Sequence, residues 1–250
     1  MDILIRRVDA GRGSAWIGDA YRLFKQAPLL WIGMVLLLMV AAIVVSEVAL
    51  IGSIVANLFM PVAYGGLILG CHAQARGEAL RFDHLWAGLQ SPHFNRLLQL
   101  GVAYMVITLI VLVIAFAVIA ATLGPAFLSA SPEDIDTAAA GIGMLLAVLL
   151  VVAVTIPLMM ATWFAPALIV LGGQPVIEAL KLSFRGCMAN LVPFLVYGVI
   201  SFLILVVAMI PLGLGLLIAA PVIFITTYTG FTDIFEPAAA PDDPTPLSET

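Results

Sequence analysis

Three histidines, His72, His84 and His93, share one polar stretch with Cys71 beside the first. A metal site would need three or four such side chains to converge. Their separations match neither C-x₂-C nor H-x₃₋₅-H spacing. Loop histidines without a metal or cofactor are therefore expected. Catalysis inside a membrane would need a nucleophile with its base, or a pair of acids, within an apolar segment. No apolar stretch holds an Asp, Glu, Lys, Arg or His near its middle. The polar groups left there are Asn57, Thr108, Thr155, Thr162, Ser201, Thr226 and Thr227. Hydroxyls in spanning helices usually bond to their own backbone or to a neighbouring helix, so no catalytic residue and no enzyme are expected. The lack of membrane charges also argues against an ion-coupled pump.

Two weaker signals concern transport and lipid. Pro61, Pro166 (or Pro157) and Pro221 fall in corresponding apolar stretches, and helix breaks at related positions can mark a transport site. Prolines are also simply tolerated in spanning helices. A pathway there would be lined by Asn57, Thr162 and Thr226. Arg22, Lys25, Lys181 and Arg185 lie on amphipathic segments, where basic side chains are placed to meet anionic lipid head groups.

The elements that carry these residues follow from composition. Of 250 residues, 63% are hydrophobic and 10% charged, against about 45–50% and about 25% in a soluble domain. Such a chain cannot cover itself with polar groups, so lipid must be part of its solvent. The ten basic residues form no dense stripe, which excludes nucleic-acid binding. Two cysteines, Cys71 and Cys187, are too few for a disulfide framework. About 27 mostly amphipathic residues precede the first apolar run, which is long for a signal peptide's core, so that run is expected to remain in the mature chain.

Residues 1–13 form a basic segment. Ser14 is read as the cap of an amphipathic helix with Trp16, Ile17, Ala20, Tyr21 and Phe24 on one face, suited to a membrane interface. Pro28 then opens the first span, since its missing N–H costs nothing in a first turn. The spans are placed at about 28–45, 51–70, 97–122, 143–165, 191–210 and 214–229, all within one membrane domain covering 14–230. Phe82, Leu85, Trp86 and Leu89 make a second amphipathic segment, and Ile177, Leu180 and Phe184 mark a third. Residues 231–250, rich in proline and acid, read as a disordered tail.

The spacing from Phe24 to Pro61 is 37 residues, and so is that from Phe184 to Pro221. The middle unit fits with an acidic insertion around 123–140. The expected fold is all-α: six transmembrane helices in three repeats, each an interfacial amphipathic helix followed by a transmembrane hairpin. Every basic residue lies in the N-terminal segment, the 71–96 loop or the 172–190 loop. The opposite connections carry Glu47, Glu133, Asp134 and Asp136 and no Lys or Arg. The positive-inside rule then puts both termini in the cytoplasm.

Ala20–Leu23-Phe24–Pro28–Trp31, Pro61–Gly65, Gly77–Phe82-Asp83, Trp163-Phe164-Ala165-Pro166 and Ala179–Ser183-Phe184–Asn190 together resemble a group of six-helix bacterial inner-membrane proteins with no established activity. The group is similar to the membrane portion attached to some glycerophosphodiester phosphodiesterases, but this chain has no room for that catalytic domain. The resemblance implies a fold and transfers no mechanism. The leading expectation is a non-enzymatic inner-membrane component that organises the bilayer, with lipid and other membrane proteins as its partners. The alternative is a small-solute or lipid facilitator with a pathway between the repeats.

Overall fold

A computed structural model describes residues 3–47, 49–128 and 137–237. Helix α1 (Arg12–Gln26) buries Trp16, Ala20 and Phe24 at helical spacing and leaves Arg22 and Lys25 outside. Ala27 breaks from helical geometry, and Pro28 then starts α2 (Pro28–Ser46) in the first-turn position that suits it. Helix α3 (Ala49–Ala75) returns antiparallel. A single 3₁₀ turn (Phe82–Leu85) and the short α4 (Ala87–Gln90) lead into α5 (Phe94–Leu128). Helix α6 (Thr137–Trp163) comes back and breaks at Phe164, and α7 (Ala165–Val170) completes that crossing. Helices α8 (Val176–Ala189), α9 (Leu191–Met209) and α10 (Leu216–Ile234) finish the membrane domain. The six long apolar segments are 28–45, 54–75, 94–121, 141–170, 191–209 and 216–234.

Each interfacial element packs away from the hairpin that follows it in sequence. Helix α1 lies on α9 and α10, the 3₁₀ turn and α4 lie on α3, and α8 lies on α6 and α7. Helix α10 also packs on α2 and α3, and α3 packs on α5 and α7, so the hairpins close around a shared centre.

Glycines let two of these crossings form. A Cβ at Gly13 would collide with the Pro193 carbonyl, and one at Gly88 with the Val62 carbonyl. Close approach of this kind is how helices gain packing energy where lipid supplies no hydrophobic drive.

Polar bonds tie the ends of the chain into the same layer. Strand β1 (Ile3–Ile5) pairs antiparallel with β2 (Phe235–Pro237), placing Ile5 opposite Phe235. Asp233 accepts from Nε and Nη2 of Arg12, at 2.6 and 2.8 Å, and from the Trp16 indole N–H at 2.7 Å. That pairing holds the Arg12 pKa above its ordinary value. Asn190 accepts from the Val8 N–H and donates to the Arg6 carbonyl. Gln74 accepts from the Trp31 indole and donates to the Leu23 carbonyl, joining the end of α1 and the start of α2 to α3.

Several sequence expectations need correction. Ser14 does not cap α1, which begins at Arg12; its hydroxyl donates back to the Gly11 carbonyl. The tail does not begin at 231, because α10 runs to Ile234 and residues through Pro237 pair with the N-terminus. For the same reason residues 3–5 and 12–13 belong to the packed layer, not to a separate basic segment. The third span starts at Phe94, ahead of Leu97, because the Ser91 hydroxyl accepts from the His93 N–H and sets up the first turn there. The fourth crossing extends past 165 through Val170, in two pieces. Glu133, Asp134, Asp136 and residues 238–250 lie outside the described residues.

Candidate functional site

The break between α6 and α7 is bridged by polar side chains from neighbouring helices. Pro166 has no N–H to give the Thr162 carbonyl, and the Tyr104 hydroxyl donates to it instead, at 3.0 Å. The Phe164 N–H donates to the Ser183 hydroxyl at 3.0 Å, and that hydroxyl donates to the Met160 carbonyl at 2.7 Å. Two side chains from α5 and α8 therefore replace the helical bonds lost at the break. A backbone break in lipid survives only when its groups are satisfied in this way. Ser183 and Tyr104 are structural here, with their hydroxyls committed to backbone.

The proposed kink positions separate under this view. Pro61 and Pro221 are buried inside continuous helices, α3 and α10, and only Pro166 sits at a break. The pathway residues separate too. Thr162 lies with Asn57, Tyr104, Thr108 and Thr155 along one groove between α3, α5 and α6, of about 300 Å³. The Thr162 and Thr155 hydroxyls donate to carbonyls one turn earlier. Thr226 is elsewhere, buried and hydrogen-bonded to the Tyr197 hydroxyl at 2.8 Å.

Two further grooves are almost wholly apolar. One, of about 300 Å³, runs between α2 and α3 and ends on Leu85, Trp86 and Leu89. The other, of about 820 Å³, runs between α9 and α10 and ends on Ile17, Gly18 and Tyr21 of α1. In both cases an amphipathic element from outside the hairpin forms the floor at the basic end. Sequence periodicity marked Leu85, Trp86, Leu89, Ile17 and Tyr21 as apolar faces, but could not say that the first three close a groove on the preceding hairpin and the last two a groove on a hairpin distant in sequence.

The four basic side chains read as lipid contacts are divided between α1 and α8. Arg22 pairs with Asp19 at 2.5 Å, and Lys181 approaches Glu178 at 3.7 Å. Arg185 is exposed on α8. The Lys25 ammonium stands 5.1 Å from the centroid of the Tyr21 ring. His72 bonds the Tyr228 hydroxyl, while His84 bonds the Arg81 backbone. Among the described residues, no three His, Cys, Asp or Glu side chains come together as a metal ligand set. Burial pushes the Cys187 thiol up to about 12.

The profile of a family described as "Domain of unknown function (DUF7847)" matches residues 15–248. A "Probable inner membrane protein" of Burkholderia thailandensis is 30% identical over 210 residues, covering 78% of this chain and 74% of the relative. No solved structure matches. With six helices long and apolar enough to cross, these findings make the chain a multi-pass inner-membrane protein.

Proposed function

Starting from a chain that belongs to the DUF7847 family, we propose a non-enzymatic membrane component that takes lipid chains into lateral grooves between its helices. The observation that carries this reading is the pair of apolar grooves at α2–α3 and α9–α10. Their walls offer water almost no hydrogen-bonding partner, and an apolar cavity of that kind does not hold water. They open along segments surrounded by hydrocarbon, so acyl chains are the material at hand to fill them. Their volumes lie in the range of about 300–1,000 Å³ usual for ligand sites. The basic face, which carries α1, α4 and α8, is read as cytoplasmic on the positive-inside rule.

Purification in a native-lipid preparation, followed by lipid analysis, tests the reading. The α2–α3 groove is lined by small residues including Ala56, so Ala56→Phe should reduce the lipid retained while leaving the helical content unchanged. Equal retention by the variant would count against it.

One observation supports a facilitator as the second reading. The α3–α5–α6 groove brings amide, phenol and hydroxyl groups together within an apolar wall. Asn57→Leu should then lower small-solute flux through proteoliposomes; unaltered flux would remove this reading.

A further inference from the structure

We propose that both apolar grooves take acyl chains of phospholipids from the leaflet opposite the basic face, with the chain ends lying against α1 and α4. This deepens the lipid reading above and rests on it.

Each groove occupies the same half of its hairpin. On α9 the lining begins at Ile200, halfway along Leu191–Met209, and continues to Ile210 and Pro211 at the far turn. On α10 it ends at Val222, in the half of the helix that follows that turn. The α2–α3 groove repeats the arrangement. Its lining starts at Leu37, halfway along α2, runs to Val45 beside the helix end, and returns on α3 from Val55 to Ala63. Helices α2 and α9 follow α1 and α8 and so start on the basic face; the grooves lie in the opposite halves. Ile200 to Ile210 is ten residues or about 15 Å, and Leu37 to Val45 is eight residues or about 12 Å, at 1.5 Å per residue. One leaflet is half of a hydrocarbon core roughly 30 Å thick. The grooves match that depth.

The two ends of the grooves differ. Towards the basic face Ile17 and Tyr21 close one slot, and Trp86 and Leu89 close the other. Gly88 seats α4 against the middle of α3, so closely that a Cβ would strike the Val62 carbonyl. A chain hanging from the basic side would have to pass these elements. At the far turn of α9–α10, Ile210, Leu212 and Leu214 are exposed, and no polar side chain occurs from Phe202 to Ile225. The Gly213, Leu214 and Leu216 N–H groups are bonded to the Met209, Pro211 and Gly213 carbonyls. Such a turn can lie among lipid chains, because these backbone groups are satisfied internally. The far connections hold no Lys or Arg, so the site reads chain depth and not head-group charge.

The test reconstitutes the full-length protein in vesicles, sorts the two orientations by an N-terminal tag, and loads phosphatidylcholine spin-labelled near its chain end into one leaflet at a time. With the probe in the far leaflet, the motionally restricted component of the spectrum should exceed that seen with the probe on the basic side. Gly18 lines the α9–α10 groove and a Cβ there meets nothing within 4 Å, so Gly18→Leu should remove part of the far-leaflet excess. That variant also improves helix propensity, so misfolding does not confound it. Ala56→Phe should remove another part, and the double variant most of it. The basic-side component should stay the same in all three.

If the variants lower the basic-side component, the leaflet assignment is wrong and the lipid reading survives. If they change neither leaflet, the far-leaflet site is lost, and unaltered lipid retention by Ala56→Phe in the native-lipid preparation would take the lipid reading with it. A stable dimer that Gly18→Leu dissociates would give the α9–α10 groove to a second copy and overturn the site there.

Discussion

At the basic end of the molecule Trp16, Trp31, Phe164 and Ile225 are almost fully buried, whereas at the far end Leu109, Phe116, Leu145 and Leu149 are more than half exposed. Both sets are equally apolar. Ten residues of α10 are buried, whereas α5 buries none of residues 102–121, although at 35 residues and about 52 Å it is the longest helix described. Lipid removes the usual reason for apolar side chains to seek one another, so helices there need not pack along their whole length. Contact concentrates where amphipathic elements, glycines and side-chain hydrogen bonds can hold it. The opposite half is left to hydrocarbon, and the grooves open there.

Paired substitutions would break this contrast if it is wrong. Phe24 is buried and Phe116 is 75% exposed. Phe24→Ala should cost about 3–5 kcal/mol, while Phe116→Ala should stay within about 0.5 kcal/mol, both read from thermal unfolding in detergent. Similar losses at the two sites would mean that the far half is packed after all. Next in size, Gly88→Val forces a side chain into the Val62 carbonyl and should cost about 3 kcal/mol; an unchanged unfolding temperature would show that α4 does not press on α3.

Ser183→Ala removes the bridge across the α6–α7 break, leaving the buried Phe164 N–H without its partner and the Met160 carbonyl with only the Cys187 thiol at 3.5 Å. A loss of about 2 kcal/mol is expected, and Ser183→Thr should recover part of it. The smallest effect concerns Cys187. Its native thiol titrates near 12 against an ordinary 9.0, so the folded state holds its proton more tightly than the unfolded chain. This contribution is fully present below pH 9 and disappears as pH rises toward 12. Alkylation of Cys187 at pH 8 should therefore be slow in folded protein and should accelerate on unfolding. Rapid labelling of the folded form would contradict the packing of α8.

Much of the architecture was legible because lipid imposes strong rules on sequence. Uninterrupted apolar runs, Pro28 at a helix start and the periodic Trp16–Ala20–Phe24 face all read directly. Partner choice did not. The Trp16 face says that something covers it, but nothing in its period names α9 and α10, more than 170 residues on. Asp233 was grouped with an acidic tail because its neighbours in sequence are acidic and proline-rich; its partners Arg12 and Trp16 are near only in space. A carboxylate four residues after Thr229, still in helical phase with the last span, was the available clue. The groove residues were hidden similarly, since Tyr21 and Trp86 look like ordinary interfacial aromatics until the α9–α10 and α2–α3 hairpins stand against them.

The seating of α1 on the last hairpin has a consequence for biosynthesis. The ribosome delivers this chain from its N-terminus, at about 5–20 residues per second. Helix α1 emerges first, yet its partners α9 and α10 are the last to enter the bilayer. For nearly the whole of translation the Trp16–Phe24 face has nothing to cover it but the membrane surface. Completion of α10, with Asp233 reaching Arg12 and Trp16, is then the event that closes the ring. A truncated product lacking that helix would leave the face unclosed and open to quality-control proteases.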